Sequence, residues 1–186
     1  WKLIHLPFKT PDCIELDYKI MHNRIFTKER LKHYGKIDND SCPVCQLEKE
    51  DLFHMFLKCS ELNSFKNYIV YIVEILFKNC RFDVLNSISF EQMFMMGYNK
   101  EATSVNSYFL NYILSIARLC IYKRRNSMSK LGKKIDIERL FKYLTRKYIL
   151  YAYQYYKDKD QTLFTKYFVQ DNPLIRVKEG KMFLTM

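Results

Sequence analysis

Apolar residues recur at intervals of three and four along most of this chain, which is the spacing of one face of an α-helix. The pattern predicts helices over residues 12–23, 27–35, 60–78, 89–97, 104–127 and 136–158. Near the C-terminus, residues 174–186 instead alternate apolar and polar around Glu179-Gly180, which favours a small hairpin. Four Gly and four Pro among 186 residues also suit long helices better than a sheet with many turns. We therefore expect a mainly α protein.

Capping residues support these helix ends. Thr27, Ser89 and Asp136 each stand where a side-chain oxygen can accept from the first free amides of a helix, and Gly35 and Gly97 stand where a left-handed residue can end one. The predicted helix over residues 104–127 is apolar on nearly all sides until Tyr122, so we expect it to lie at the centre of the helical core.

Between the second and third predicted helices stand Cys42, Cys45, His54 and Cys59, spaced C-x2-C-x8-H-x4-C. Pro43 favours a turn that aims the first two sulfurs at one point. Asp51 is a good N-cap for a short helix bearing His54, with Cys59 just past its end. Three thiolates and one imidazole complete a tetrahedral zinc site with no open position, so this pattern predicts one structural Zn²⁺ in a CCHC arrangement.

Two alternatives to zinc remain for these cysteines. Six cysteines and four histidines will produce some close pairs by chance, and thiols can also form disulfides. Disulfides are the weaker interpretation, because no signal peptide is evident and Cys13, Cys80 and Cys120 show no paired spacing. We expect those three to be buried small apolar residues.

The chain is long enough for one core with a metal-stapled subdomain. We predict a zinc-binding subdomain with two preceding helices over residues 1–66. A helical domain with a basic helix end follows over residues 67–169, and a tail or small hairpin over 170–186. Residues 80–89 are the expected loop between the two halves.

The formal net charge of +11 favours a polyanionic partner; three zinc-bound thiolates and the ion would change it to +10. Nucleic acid is favoured over a membrane, since the longest apolar run, residues 68–73, is far shorter than the ~20 residues of a spanning helix. Ordinary soluble proteins can also be basic, so charge alone does not decide the question.

Two basic groups are candidates for nucleic-acid contacts. The first lies in residues 118–135, which contain no acid, and comprises Arg118, Lys123, Arg124, Arg125, Lys130, Lys133 and Lys134. These residues could bind phosphates, form a solvated helix end favoured by the helix dipole, or act as a nuclear import signal. The second precedes the zinc loop and comprises Arg24, Lys28, Arg30, Lys32 and Lys36; a solvated face explains it equally well.

Tyr148, Tyr151 and Tyr155 follow one another at helical spacing in the last predicted helix. Tyrosines could stack on bases of a single strand, but this spacing favours a role in the core or between helices.

Several segments follow one another in the order found in a known family. They are Trp1-Lys2-Leu3, Lys19-Ile20-Met21-His22-Asn23-Arg24-Ile25, Thr27-Lys28-Glu29-Arg30-Leu31-Lys32, and Cys42-Pro43-Val44-Cys45 with Glu50, His54 and Cys59. Over residues 1–66 the chain resembles the zinc-binding C-terminal region of non-LTR (LINE-type) retrotransposon reverse transcriptases. Phe65 stands where that family commonly has a Trp.

The resemblance implies that this segment is an accessory part of a larger reverse transcriptase and endonuclease. Such a parent nicks chromosomal DNA and copies its own RNA there, while this region helps to hold RNA or target DNA. The expected location is the nucleus, with ribonucleoprotein assembly in the cytoplasm. Since no polymerase aspartate pair or phosphate-binding glycine loop appears, we expect no catalytic site in this segment.

A rival hypothesis is a zinc-stabilised structural module. In that case the basic helix end docks an acidic surface of the parent or of another protein, and the chain could be part of a domesticated host protein.

Overall fold

The computed structural model describes residues 6, 8–77, 89–98, 106–157 and 159–186. These residues form a mainly helical protein with one small hairpin. The helices are α1 (Pro11–Met21), α2 (Lys28–His33), α3 (Asn63–Phe77), α4 (Phe90–Met96), α5 (Ser107–Leu131), α6 (Ile137–Lys157) and α7 (Gln161–Phe164), and the strands are β1 (Ile175–Lys178) and β2 (Lys181–Leu184). Two π-helical turns, His54–Lys58 and Thr165–Val169, and a 3-10 turn, Ser60–Leu62, complete the described elements. The mainly α prediction is confirmed.

The predicted helix caps are present. Thr27 accepts from the Arg30 amide at 3.3 Å, and Ser89 accepts from the Gln92 amide at 3.1 Å. Asp136 accepts from the Arg139 amide at 3.0 Å at the start of α6.

Helix ends also match the pattern closely. Gly35 has φ +63°, the left-handed conformation expected after α2. Helix α3 begins later than predicted, after the 3-10 turn, and α5 continues beyond Ser127 to Leu131. It ends at Gly132, which also adopts a left-handed conformation with φ +62°.

Helix α5 lies at the centre of the core, as its apolar sequence predicts. From Phe109 to Ile121 every side chain is buried, because α1, α3, α6 and the π-helical turn His54–Lys58 all pack against this helix. Aromatic rings join α3 to α6 through an edge-to-face contact between Phe65 and Phe141, with centroids 5.5 Å apart. A single apolar cluster therefore runs from the zinc loop through the helices. The division at residue 66 stays a prediction about folding units.

The C-terminal hairpin is confirmed. Strands β1 and β2 pair antiparallel, with Ile175 opposite Leu184 and Lys178 opposite Lys181. Both Glu179 and Gly180 have positive φ, which suits a two-residue turn between right-twisted strands. The Tyr153 hydroxyl donates to the Gly180 carbonyl at 2.8 Å and attaches the turn to α6.

Some predictions fall outside the described residues. They concern the loop at 80–88, the burial of Cys80, and the segment Trp1-Lys2-Leu3. Cys13 and Cys120 are buried, as expected. None of the helices that the structure describes combines the length and the hydrophobicity of a membrane span.

Candidate metal centre and the placement of the basic residues

Two short local structures bring the four predicted zinc ligands together. Cys42 and Cys45 lie on a turn in which the Cys42 amide donates to the Glu48 carbonyl and the Gln46 amide donates to the Cys42 carbonyl. An antiparallel bridge between Ser41 and Lys49 closes this loop. Asp51 then accepts from the His54 amide at 2.6 Å, which starts the turn that bears His54 and ends at Cys59. The expected capping role of Asp51 is confirmed.

The ligand atoms of Cys42, Cys45, His54 and Cys59 all lie within 4.8 Å of one another. Cys42 Sγ is 3.9 Å from Cys59 Sγ, and Cys45 Sγ is 3.4 Å from His54 Nε2. Two thiolates on one tetrahedral zinc ion are separated by about 3.8 Å, given the usual Zn–S bond length. The side chains therefore fit a zinc ion.

Neighbouring groups orient the ligands. Glu48 Oε2 lies 3.1 Å from His54 Nδ1, a contact that places the imidazole proton on Nδ1 and leaves the Nε2 lone pair for the metal. The Val44 amide donates to Cys42 Sγ at 3.4 Å. The contact between the two sulfurs lowers the pKa of Cys42 and raises the pKa of Cys59.

Burial completes the description of this centre. Cys42, His54 and Cys59 are buried and Cys45 is half-buried, and four protein ligands leave no position for a substrate. Such a closed site defines the class of proteins in which zinc is structural, where the ion replaces apolar core that a short segment cannot supply.

Comparison with known proteins agrees with this class. Residues 1–65, about a third of the chain, match a family model described as zinc-binding in reverse transcriptase. This description concerns a zinc-binding accessory domain and not a catalytic one. No curated protein and no solved structure matches the chain. The family match and the four-ligand cluster together assign one structural zinc ion to Cys42, Cys45, His54 and Cys59.

Arg125 of α5 points into the protein and not towards solvent. Its guanidinium donates from Nε and Nη2 to the two carboxylate oxygens of Glu50, at 2.8 and 2.6 Å, and Nη2 also donates to the Phe26 carbonyl. Glu50 is 0% exposed and accepts from the Lys28 amide at 2.9 Å as well. This ion pair joins α5 to the zinc loop and to the start of α2.

Arg118 is also an interior residue. It donates to both carboxylate oxygens of Asp17 in α1, at 2.8 and 3.0 Å, and to the Phe94 carbonyl of α4. Lys9 Nζ lies 2.5 Å from the same carboxylate, and the Ser115 hydroxyl donates to it at 3.0 Å. The pair of Asp17 and Arg118 thus connects α1, α4 and α5.

Arg124 is buried against Glu61, donating to its carbonyl at 2.9 Å and to its carboxylate at 3.0 Å. The expectation that all seven basic residues of 118–135 form one exposed surface is therefore wrong for Arg118, Arg124 and Arg125, because all three are buried and each pairs with a carboxylate distant in the sequence. Lys134 lies on the exposed side of Glu61 at 2.8 Å, and Lys123 pairs with Asp12 at 3.3 Å. Lys130 and Lys133 are exposed at the end of α5.

The second predicted basic group lies mostly at the surface. Arg24, Lys32 and Lys36 are exposed, while Lys28 and Arg30 are half-buried. Lys32 pairs with Asp40 at 3.2 Å, and Arg30 donates to the Asn23 carbonyl and the Tyr34 hydroxyl. Whether any residue of either group binds nucleic acid stays a prediction.

The sequence analysis missed the acids that bind the buried arginines, namely Asp17, Glu50 and Glu61. Glu50 entered only as part of the family resemblance. A signal was available for Asp17, since it lies on the same helical face as the apolar residues Leu16 and Ile20. The tyrosine series is also divided: Tyr148 is half-buried, whereas Tyr151 and Tyr155 are exposed, so a place in the core is wrong for these two. Tyr155 still contacts another element, since its ring centroid lies 5.8 Å from that of Phe8.

Proposed function

We propose that this chain is a nucleic-acid-binding accessory region of a LINE-type retrotransposon reverse transcriptase, and that it supports target-primed reverse transcription by holding RNA or target DNA. The observation that carries the proposal is the match of residues 1–65 to a zinc-binding family of reverse transcriptases, together with a zinc-site geometry at the matched cysteines and histidine. Its partners would be nucleic acid and the remainder of the reverse transcriptase. Target DNA implies a nuclear location, with assembly on RNA in the cytoplasm.

The distribution of charge supports a phosphate-binding role outside the zinc site. Three thiolates and one Zn²⁺ give the metal centre a net charge of about −1, so it does not attract phosphate itself. Residues 106–157 contain twelve Lys and Arg against two Asp and Glu, a net charge of +10. Almost all of the excess charge of the chain therefore lies on α5, α6 and the loop between them.

Salt dependence tests the proposal. Log Kd for an oligonucleotide should rise linearly with log salt, because each Lys or Arg at a phosphate releases counterions. Lys130→Glu with Lys133→Glu should lower the slope by about 2 if both contact phosphates. Charge reversal at Arg124 or Arg125 is unsuitable, since both are internal.

The matched control is Lys178→Glu with Lys181→Glu, which reverses the same charge on the exposed hairpin. It should leave most of the affinity and of the slope unchanged. A protein that binds neither RNA nor DNA at low salt would contradict the proposed function.

The second candidate is a zinc-stabilised structural module that docks an acidic protein partner. It is favoured by one observation: Arg118, Arg124 and Arg125, nearly half of the first basic group, serve internal ion pairs. If polyglutamate displaces a bound labelled oligonucleotide as effectively as an unlabelled oligonucleotide of equal charge does, this candidate is favoured over nucleic-acid binding.

A further inference from the structure

The outward face of α6 bears a row of aromatic and basic side chains spaced four residues apart. In chain order the row is Arg139, Tyr143, Lys147, Tyr151 and Tyr155. Arg139 and Lys147 are exposed, and Tyr143, Tyr151 and Tyr155 are 59%, 68% and 45% exposed. Residues four apart are neighbours on a helix surface, so these five side chains form one continuous stripe, which we call the α6 row.

The surroundings of the α6 row are strongly basic. Lys142, Arg146 and Lys157 are exposed on the same helix, and the sequence contains no Asp or Glu between Arg139 and Lys157. Among the residues that the structure describes, none of the basic side chains at positions 139, 142, 146, 147 and 157 forms an ion pair. Unlike the arginines of α5, they are directed at solvent.

Two tyrosines of the α6 row contact lysines, one within the row and one just beyond the end of α6. Lys147 Nζ lies 5.8 Å from the centroid of the Tyr143 ring, and Lys159 Nζ lies 4.1 Å from that of Tyr155. In these cation–π contacts a positive charge stands beside an exposed aromatic face. A ligand that offers both a negative backbone and flat rings would meet both kinds of group at once.

Packing in the core does not explain the exposed rings of Tyr143 and Tyr151. The opposite face of α6 packs inward through Phe141, Leu144, Ile149 and Ala152, all of which are buried. Tyr143 and Tyr151 lie away from that face. Large rings on a basic helix surface, separate from the apolar face that folds the helix, are typical of a binding surface.

Spacing indicates the form of the ligand. Eight residues of an α-helix rise about 12 Å, so Tyr143 and Tyr151 are much farther apart than the ~3.4 Å between nucleotides of a helical strand. An extended strand fits this interval better than a stacked one. Moreover, a tyrosine can stack only on a base whose face is open, and paired bases in a duplex offer no such face.

From this arrangement we propose that the α6 row and the neighbouring Arg146 form a binding site for single-stranded nucleic acid. The nucleic-acid bases stack on Tyr143 and Tyr151, and the phosphates lie against Arg139, Arg146 and Lys147. The proposal rests on the proposed function and names the site and the form of nucleic acid. The row lies outside residues 1–65, so the matched family does not account for it.

Other polyanions fit the surface less well. An acidic polypeptide would pair with the Lys and Arg side chains, but it would give the open tyrosine faces no role. An anionic membrane binds helices that insert an apolar face, and the apolar face of α6 is already buried in the protein.

The experiment measures binding of the full chain, loaded with zinc, to a fluorescein-labelled uridine oligomer and to a duplex of equal length. Tyr143→Ala with Tyr151→Ala should weaken single-strand binding at least about tenfold, since each lost stacking contact weakens binding several-fold, and should change duplex binding less than about twofold. Tyr143→Phe with Tyr151→Phe keeps both rings and should bind as the unchanged protein does. Both tyrosines are exposed, so circular dichroism should report the same fold in all three proteins.

A charge variant completes the test. Arg146→Glu with Lys147→Glu should weaken single-strand binding at least about tenfold, whereas the hairpin control Lys178→Glu with Lys181→Glu should have little effect. The charge variant could instead lose affinity equally for phosphatidylserine vesicles or polyglutamate, while removal of the tyrosines has no effect. That result would show a general anion-binding surface and overturn the proposal.

Failure of this inference and failure of the proposed function are distinguishable. If the unchanged protein binds no nucleic acid, both fail. If it binds, and the tyrosine variant binds equally well while Lys130→Glu with Lys133→Glu does not, the proposed function stands and the α6 row is excluded as its site.

Discussion

At Asp17, two cations share one buried carboxylate. Lys9 Nζ lies 2.5 Å away and Arg118 Nε 2.8 Å away, and all three side chains are almost completely excluded from solvent. Burial alone would raise the pKa of Asp17, but the charges and hydrogen bonds of Arg118 and Lys9 outweigh it and hold that pKa below its usual value. Burial lowers the pKa of Lys9, against the opposing attraction of Asp17. The arrangement is stable only while the carboxylate is ionised.

Acid should therefore weaken the fold through Asp17. Its pKa is lower in the folded than in the unfolded chain, so its contribution is present above the unfolded value of about 3.8 and is lost as pH falls through the folded pKa. Asp17→Asn should destabilise the protein by about 3 kcal/mol or more at neutral pH, because it leaves two buried cations without a counterion.

Urea unfolding at several pH values measures both effects. Below about pH 4, the free energy of unfolding should decline less steeply in the Asp17→Asn protein than in the unchanged protein. Asp38→Asn, at an exposed position, serves as the control and should differ by less than about 0.5 kcal/mol at neutral pH. Equal acid dependence of the Asp17→Asn and unchanged proteins would contradict the argument.

Among the elements, helix α5 holds the zinc loop in position through two ion pairs. Arg124 binds Glu61 just after the last zinc ligand, and Arg125 binds Glu50 between the two pairs of ligands. Consecutive side chains of one helix thus hold both ends of the segment that contains His54 and Cys59. The zinc loop is positioned by the helix as well as by the metal.

Removing Arg125 should destabilise the fold far more than removing a basic side chain at the surface. Arg125→Met leaves the carboxylate of Glu50 buried without its cation and should cost about 3–5 kcal/mol. Lys123→Met, which breaks an exposed pair with Asp12, should cost at most about 1 kcal/mol.

A second variant separates charge from packing at this position. Adding Glu50→Gln to Arg125→Met removes the stranded charge and keeps an acceptor for the Lys28 amide, so the double variant should be more stable than Arg125→Met alone. Thermal and urea unfolding provide these values. If the destabilisation of the double variant equals the sum of those of Arg125→Met and Glu50→Gln, the two side chains do not act as a pair.

For the whole molecule, zinc and the helical core should act as one cooperative system. Side chains next to the ligands, including Met55, Phe56 and Leu57, belong to the same buried cluster as α5. A structural zinc ion contributes about 10 kcal/mol or more in small zinc-binding peptides, comparable to the entire free energy of unfolding of a domain. Loss of the ion should therefore affect much more than the loop.

Chelation of zinc should loosen α5 as well as the metal site. We expect hydrogen exchange to accelerate in α5 from Leu119 to Arg125, because Glu50 and Glu61 lose their fixed positions, and far-UV circular dichroism to lose helical signal. Readdition of zinc should restore both, and elemental analysis of the pure protein should give one zinc per chain. Unchanged exchange in α5 after complete zinc removal would show that the zinc loop and the core fold independently.

The zinc ligands, most helix ends and the hairpin could be predicted from the sequence alone. These features depend on neighbours within about twenty residues, where spacing, caps and turn residues act directly. Asp51 and Cys59 illustrate this, since the cap and the ligand belong to one turn of chain.

Which Lys and Arg side chains are internal and which face solvent depends on tertiary contacts that the sequence pattern does not reveal. Arg118 and Asp17 are 101 residues apart, Arg125 and Glu50 are 75 apart, and Arg124 and Glu61 are 63 apart. Whether a cation is buried depends on whether the fold brings a carboxylate to it, because an unpaired charge is too costly to bury. Tyr151 likewise lies at the surface because tertiary packing buries the other face of α6, which bears Phe141 and Ile149.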